Sequence, residues 1–132
     1  MFRLGSRTEN EVRKVNKATD KAQFNNLRHG IFGISKAAKG SIKRSKTSSQ
    51  PGSPPTTRGK GGKNLRAAIF TNTSKESAIA GPRASFVGTA GNVHEFGNSR
   101  GGVDFPQRPF MFPALEDSAP RFGADWAGTI GQ

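Results

Sequence analysis

Cysteine is absent from this 132-residue chain, so disulfides and thiolate metal sites are both excluded. Histidine is scarce: there are two, His29 and His94. Glu95 has no second carboxylate beside it. No triad, dyad or metal cage can be composed from these groups, so neither an enzyme nor a catalytic residue, cofactor or metal is expected. No apolar run approaches the ~18 residues that span a bilayer. The opening MFRLGSRTENEV lacks the apolar stretch of a secretory signal, so neither a membrane span nor ordinary export is expected. Acids are scarce in one half only. Residues 1–66 hold 16 Lys and Arg against Glu9, Glu11 and Asp20, a net +13, whereas residues 67–132 hold five against six, a net −1. A basic half joined to a neutral one suggests that one end meets an anionic surface, either nucleic acid or an acidic protein.

What is present is modest. With 32% apolar residues and 17 glycines the chain is one domain with a small core. Such a chain gains much by burying surface against partners. Residues 1–7 read as a flexible N-terminus and 8–46 as a helical region. Thr8-Glu9-Asn10-Glu11 has the form of a capping box, and Val12, Val15, Ala18 and Ala22 follow as a thin helical stripe. Phe24, Leu27, Ile31, Ile34, Ala38 and Ile42, spaced three and four apart, predict the main core helix. Gly30 and Gly33 either break that helix or let another backbone approach. His29 reads as an ordinary exposed helix residue.

Lys36, Lys39, Lys43, Arg44 and Lys46 cluster at the end of that helix, where cations suit its dipole. Residues 47–63, TSSQPGSPPTTRGKGGK, contain no apolar residue to hold them and predict an extended basic arm, ordered only by contact with other subunits. Its Arg58, Lys60 and Lys63 join the candidate basic contact surface. The glycines between them lack the spacing and the Ser/Thr of a phosphate-binding loop.

Ile69-Phe70-Thr71-Asn72-Thr73 is strand-like, and Ser77-Ala78-Ile79-Ala80 reads as a second strand closed by a Gly81-Pro82 turn. Ser85-Phe86-Val87-Gly88 is either a third strand or the start of an excursion toward His94. The densest aromatic stretch, residues 94–116, holds four of the ten phenylalanines. Each, if buried, contributes roughly 1.5–3 kcal/mol. In it, His94-Glu95-Phe96-Gly97 reads as a turn in which Glu95 caps or pairs with a nearby base. Residues 108–112 read as an extended edge segment with Phe110 and Phe112 on one face and Met111 on the other. Pro113 then opens a helix, with Glu116 and Asp117 early in it. Core packing suits Phe105, Phe110 and Phe112 better than base stacking, because Arg108 is the only cation among them. Phe122, Trp126 and Ile130 suggest a weak C-terminal helix or tail over 118–132. The expected fold is therefore α+β: about four short antiparallel strands over 64–117, packed by an N-terminal helix, with a long basic loop.

HEFG, a glycine-bearing gap and RPFMFPALE, in that order, resemble the C-terminal signature of the tail-completion and head–tail joining proteins of tailed bacteriophages. Upstream, Gln50-Pro51-Gly52-Ser53-Pro54-Pro55, then Asn64-Leu65-Arg66-Ala67-Ala68-Ile69, then Ile79-Ala80-Gly81-Pro82 fall in the same order. The resemblance covers residues 36–117. It departs from the pattern in the long basic N-terminus, in the Arg-Gly-Lys-Gly-Gly-Lys insertion before Leu65, and after Glu116. The resemblance implies a structural virion protein, assembled in the host cytoplasm, that forms a homo-oligomeric ring, usually a hexamer. Its place would be the neck or tail top, completing the tail and joining it to the DNA-filled head. Connector and tail-tube proteins would be its neighbours, with DNA in the lumen contacted without sequence preference. Its signature residues here are His94, Glu95, Phe96, Gly97, Arg108, Pro109, Phe110, Met111 and Pro113. Two alternatives are a head-closure or adaptor component of the same neck and a free basic nucleic-acid-binding protein.

Overall fold

The computed structural model describes residues 4–58, 64–98 and 104–130, with residues 4–7 and 129–130 described by backbone alone. One long helix, α1 (Leu4–Ser41), runs through the first third of the chain. It starts earlier than the capping box suggests, so Thr8 lies inside the helix and residues 4–7 belong to it. It also passes through Gly30 and Gly33 without a break. Of its predicted core stripe, Ile31, Ala38 and Ile42 are buried and Phe24, Leu27 and Ile34 are half-buried.

After α1, β1 (Lys43–Arg44) pairs in parallel with β2 (Thr56–Thr57), in register Lys43 with Thr56 and Arg44 with Thr57. This corrects the expectation of a free arm for residues 47–58. Ser45 N–H donates to Thr57 O at 3.0 Å, Thr56 Oγ1 donates to Thr47 O at 2.9 Å, and Pro55 is fully buried. The missing anchor is a proline ring, which the composition of the segment disguises. Lys60 and Lys63 lie outside the described residues.

The short helix α2 (Leu65–Ala68) is capped by Asn64, whose Oδ1 accepts from Ala67 N at 2.8 Å. It leads into β3 (Ile69–Thr73), which pairs antiparallel with β4 (Ala78–Pro82). Ser74 and Ser77 close the hairpin: Ser74 N–H donates to Ser77 O at 2.7 Å and Ser77 N–H to Ser74 Oγ at 3.1 Å. Gly81 and Pro82 continue the strand, opposite Phe70 and Ile69, and make no turn. Proline is tolerated there because it ends the strand.

Among the described residues the antiparallel sheet has these two strands, where about four were expected. Residues 84–87 form helix α3 (Ala84–Val87), followed by α4 (Ala90–Phe96). Residues 108–112 form no strand. The chain is extended to Pro109, bends at Phe110 and enters α5 (Met111–Ile130). This last helix spans the position expected to separate the domain from its tail. It is continuous through Pro120, at the cost of one hydrogen bond to the carbonyl four residues back.

The fold is α+β: the hairpin and α5 pack against the C-terminal half of α1. Ala38, Ile42, Leu65, Ile69, Phe110 and Ala114 form the core, with Ile34 and Met111 against it. Helices α1 and α5 run antiparallel, Gly30 lying under the Phe122 ring and Gly33 nearest Ser118. A Cβ on Gly30 would lie 2.6 Å from the Phe122 ring, so what this glycine admits is an aromatic side chain and not the other backbone that was expected. Phe122 in turn meets Trp126 edge to face at 6.4 Å between centroids. No helix among the described residues is long and apolar enough to cross a membrane.

Candidate assembly site around Glu95

The first four N–H groups of any helix lack partners within it. Helix α5 has no acid in its own first turn. Glu95, delivered by the last turn of α4, supplies the acceptor from a distance in sequence. Its Oε2 accepts from Phe110 N and Met111 N, both at 3.0 Å, and its Oε1 accepts from Phe112 N at 2.9 Å. An anion here is favoured by the helix dipole as well as by the three hydrogen bonds. Of the two readings of Glu95, capping and pairing with a nearby base, this is the first, made from the end of a helix and not from the turn expected there. It also explains why residues 110–112 turn helical rather than extended.

The neighbours of Glu95 hold it in place. Gly97 ends α4 with φ 74°, a conformation that favours glycine, and its N–H returns to Val93 O at 2.8 Å. Arg108 N–H donates to His94 O at 2.6 Å, and Arg108 Nε donates to Ser49 O at 3.0 Å. Gln107 ties the same two regions: its O accepts from Gly52 N at 2.7 Å and its Nε2 donates to Phe96 O at 3.1 Å. Residues 49–52 of the basic arm are thereby fastened to the segment before α5.

The structure therefore brings most of the signature together. Arg108 is bonded to His94, Glu95 to the N–H groups of residues 110–112 and Gly97 to Val93, Pro109 is half-buried beside them, and Phe110 enters the core. Met111 packs against that core, and Pro113 occupies the third position of α5, where its missing N–H costs little. Phe96 is mostly exposed, as are Phe105 and Phe112. The paired facing of Phe110 and Phe112 is thus corrected. Phe110 sits at the bend before α5 and Phe112 in its first turn, so the two do not share a face.

His94 is half-buried, and its pKa is lowered from 6.5, first by burial, which disfavours the imidazolium, and then by the nearby Arg108 cation. A folded pKa below the unfolded one means that protonation favours unfolding. The stabilising contribution of neutral His94 is present above about pH 6.5 and is lost as pH falls through the folded value. Urea denaturation between about pH 7 and pH 5 should show His94→Gln losing less stability on acidification than the wild-type chain. Equal slopes would remove His94 from the acid response.

Beside the Glu95 unit lies an open apolar cleft of about 580 Å³, lined by Ile31, Ile34, Ala80, Phe96, Phe112 and Leu115 among others. Sequence reading missed this cleft, although the unburied pair Phe112 and Leu115, three apart on one helix, is a signal for it. For Gln107 no sequence signal exists. The predicted basic surface is at the C-terminal end of α1, just beyond the helix residues Ile31 and Ile34 that line the cleft. Lys36, Lys43, Arg44, Lys46 and Arg58 are exposed and Lys39 is half-exposed in the last turn. The β1–β2 register sets Arg58, the residue after Thr57, beside this cluster.

In comparisons with known proteins, no family model, no curated protein and no solved structure matches the chain.

Proposed function

We propose that this chain is a structural protein of a tailed-phage virion, forming a ring at the neck or tail top that completes the tail and joins it to the DNA-filled head. The observation that carries the reading is the convergence of the segments that bear the family resemblance. Gly52 of the proline-glycine segment and Ser49 just before it bond Gln107 and Arg108 at the start of RPFMFPALE, Glu95 caps the helix of that segment, and Leu65 and Ile69 pack with Phe110. Four stretches scattered in sequence thus act as one structural unit, as expected if they form a signature and not a chance series. An open apolar cleft beside that unit suits a subunit that completes its burial by assembly. The ring number, a hexamer on the resemblance, and the tail-tube and connector partners belong to the same proposal.

The basic cluster fits the lumen of such a ring, where cations from many copies would face DNA. A single copy then binds duplex DNA weakly and without sequence preference, each neutralised phosphate adding about −0.9 to the log–log salt slope. In a phage lacking this chain, heads and tails should accumulate separately, and the purified protein added back should join them. Replacing Lys39, Lys43, Arg44 and Lys46 by glutamine should leave the fold intact and reduce the joined fraction in micrographs. Normally joined virions in its absence would sink the proposal. Tight, sequence-selective DNA binding by the monomer would move the protein to the nucleic-acid-binding class.

A further inference from the structure

The continuity of α1 gives its cations a common direction. Lys14, Lys17, Lys21, Arg28, Lys36 and Lys39 stand on one unbroken helix. At about 100° per residue, all of them fall within a face about 100° wide. Beyond residue 22, Ile31, Ile34 and Ala38 are turned to the core and Gly30 and Gly33 to α5. The cations hold the side left over, where Asn25, Arg28, Phe32 and Lys36 are exposed. Between Lys14 and Lys39 the one acid is Asp20, about 60° round the helix from Lys17 and further from the others. On the α5 side, Asp117, Arg121 and Asp125 share a groove with Lys36, which therefore marks the edge of the basic face.

Among the described residues none of these lysines has an ion-pair or hydrogen-bond partner. Like charges instead follow one another at three and four residues, Lys14 to Lys17 to Lys21 and Lys36 to Lys39, a spacing at which they destabilise a helix. An exposed helix face that meets only water ordinarily alternates the signs. Arg28 lies over the exposed Phe32 ring, its guanidinium 5.7 Å from the centroid, so its donor fork is already positioned on the face.

We infer that this face of α1, from Lys14 onward and continued by the exposed Lys43 and Arg44, is a contact surface for the phosphate backbone of duplex DNA. It rests on the DNA-facing role proposed above for the basic cluster, and carries that contact back along the helix. Lys14 and Lys39 are about 38 Å apart along the axis, close to the roughly 34–36 Å of one duplex turn. A straight line of cations that long needs a partner charged along its whole length. Duplex DNA carries a charge about every 1.7 Å of axis, and its approach removes the repulsion between the stacked lysines. Such backbone contacts carry affinity without sequence preference.

The test is anisotropy of a labelled duplex with the full-length chain, titrated with salt. Lys14→Gln with Lys21→Gln should weaken binding and flatten the log–log salt slope by about 1.8, from two phosphates at ~0.9 each. Lys14→Arg with Lys21→Arg should bind as the wild-type chain does. Asn16→Glu with Thr19→Glu lowers the net charge by the same amount in the same stretch, but roughly 150° round the helix from the centre of the basic face. That pair should leave the slope as it is, and circular dichroism should be unchanged in every variant. Equal losses in the glutamine and glutamate pairs would mean that net charge alone is felt, and would overturn the surface. Wild-type binding by the glutamine pair, with loss on replacing Lys39, Lys43, Arg44 and Lys46, would confine DNA to the end of α1, so that only this inference falls. A wild-type chain that fails to bind duplex at low salt overturns both this surface and the lumen reading of the cluster, while the add-back assay still decides head–tail joining.

Discussion

Phe110→Ala should lower the unfolding free energy by about 3–5 kcal/mol, the loss typical of a truncated core phenylalanine. Phe112→Ala should leave it within about 0.5 kcal/mol of wild type. Phe110 is 1% exposed, and Phe112, two residues on, is 59% exposed. The neighbours of Phe110 are Ala38, Ile42, Leu65, Ile69 and Ala114, no aromatic among them. Two are alanines with nothing to move into the space, so the cavity left by the ring would collapse little. Met111→Ala should fall between, at roughly 1–2 kcal/mol, because Met111 is half-buried against the same cluster. Urea denaturation midpoints at constant slope measure all three. Equal losses at Phe110 and Phe112 would indicate a strand with both rings on one face, contrary to the helix seen here.

Glu95→Ala should destabilise the fold by about 2–3 kcal/mol, more than an ordinary cap, which is worth ~1 kcal/mol. Three backbone N–H groups share its carboxylate, and the donors at Phe110 and Met111 are partly buried. Alanine leaves them without an acceptor and also removes the anion that the helix N-terminus favours. Glu95→Gln keeps a carbonyl oxygen and loses the charge, so about 1 kcal/mol is expected. Hydrogen exchange localises the effect: amides of residues 110–112 should lose protection in Glu95→Ala well before those later in α5. If those three amides exchange as in the wild-type chain, Glu95 is not the cap.

Much of the architecture was legible because it depends on spacing within one element. The run from Phe24 to Ile42 keeps the helical interval over five turns, and β3 shows itself in Ile69-Phe70-Thr71-Asn72-Thr73. Pro113 marked a helix entrance because proline suits a first turn wherever the rest of the chain goes. The absence of cysteine and the division of charge likewise need no tertiary information. The capping reading of Glu95 was available from its chemistry, but its target was not, since the three amides lie fifteen to seventeen residues away.

Tertiary structure decided the rest, for reasons of distance. Residues 110–112 look extended by composition. They become helical because a carboxylate from α4 satisfies their N–H groups, and that reverses the facing of Phe112. Residues 47–58 look free because their anchors are the proline ring of Pro55, the backbone of Gly52 and the carbonyl of Ser49, none of which counts as apolar patterning. The Phe24–Ile42 stripe reads as interrupted while Gly30 and Gly33 are taken as breakers. Once Phe122 packs on Gly30 the helix is continuous, and only then do the faces of its two halves acquire a fixed angle to each other. Local propensity set the elements of this protein. Which faces were covered, and which were left open, depended on groups far along the chain meeting the ends and glycines of those elements.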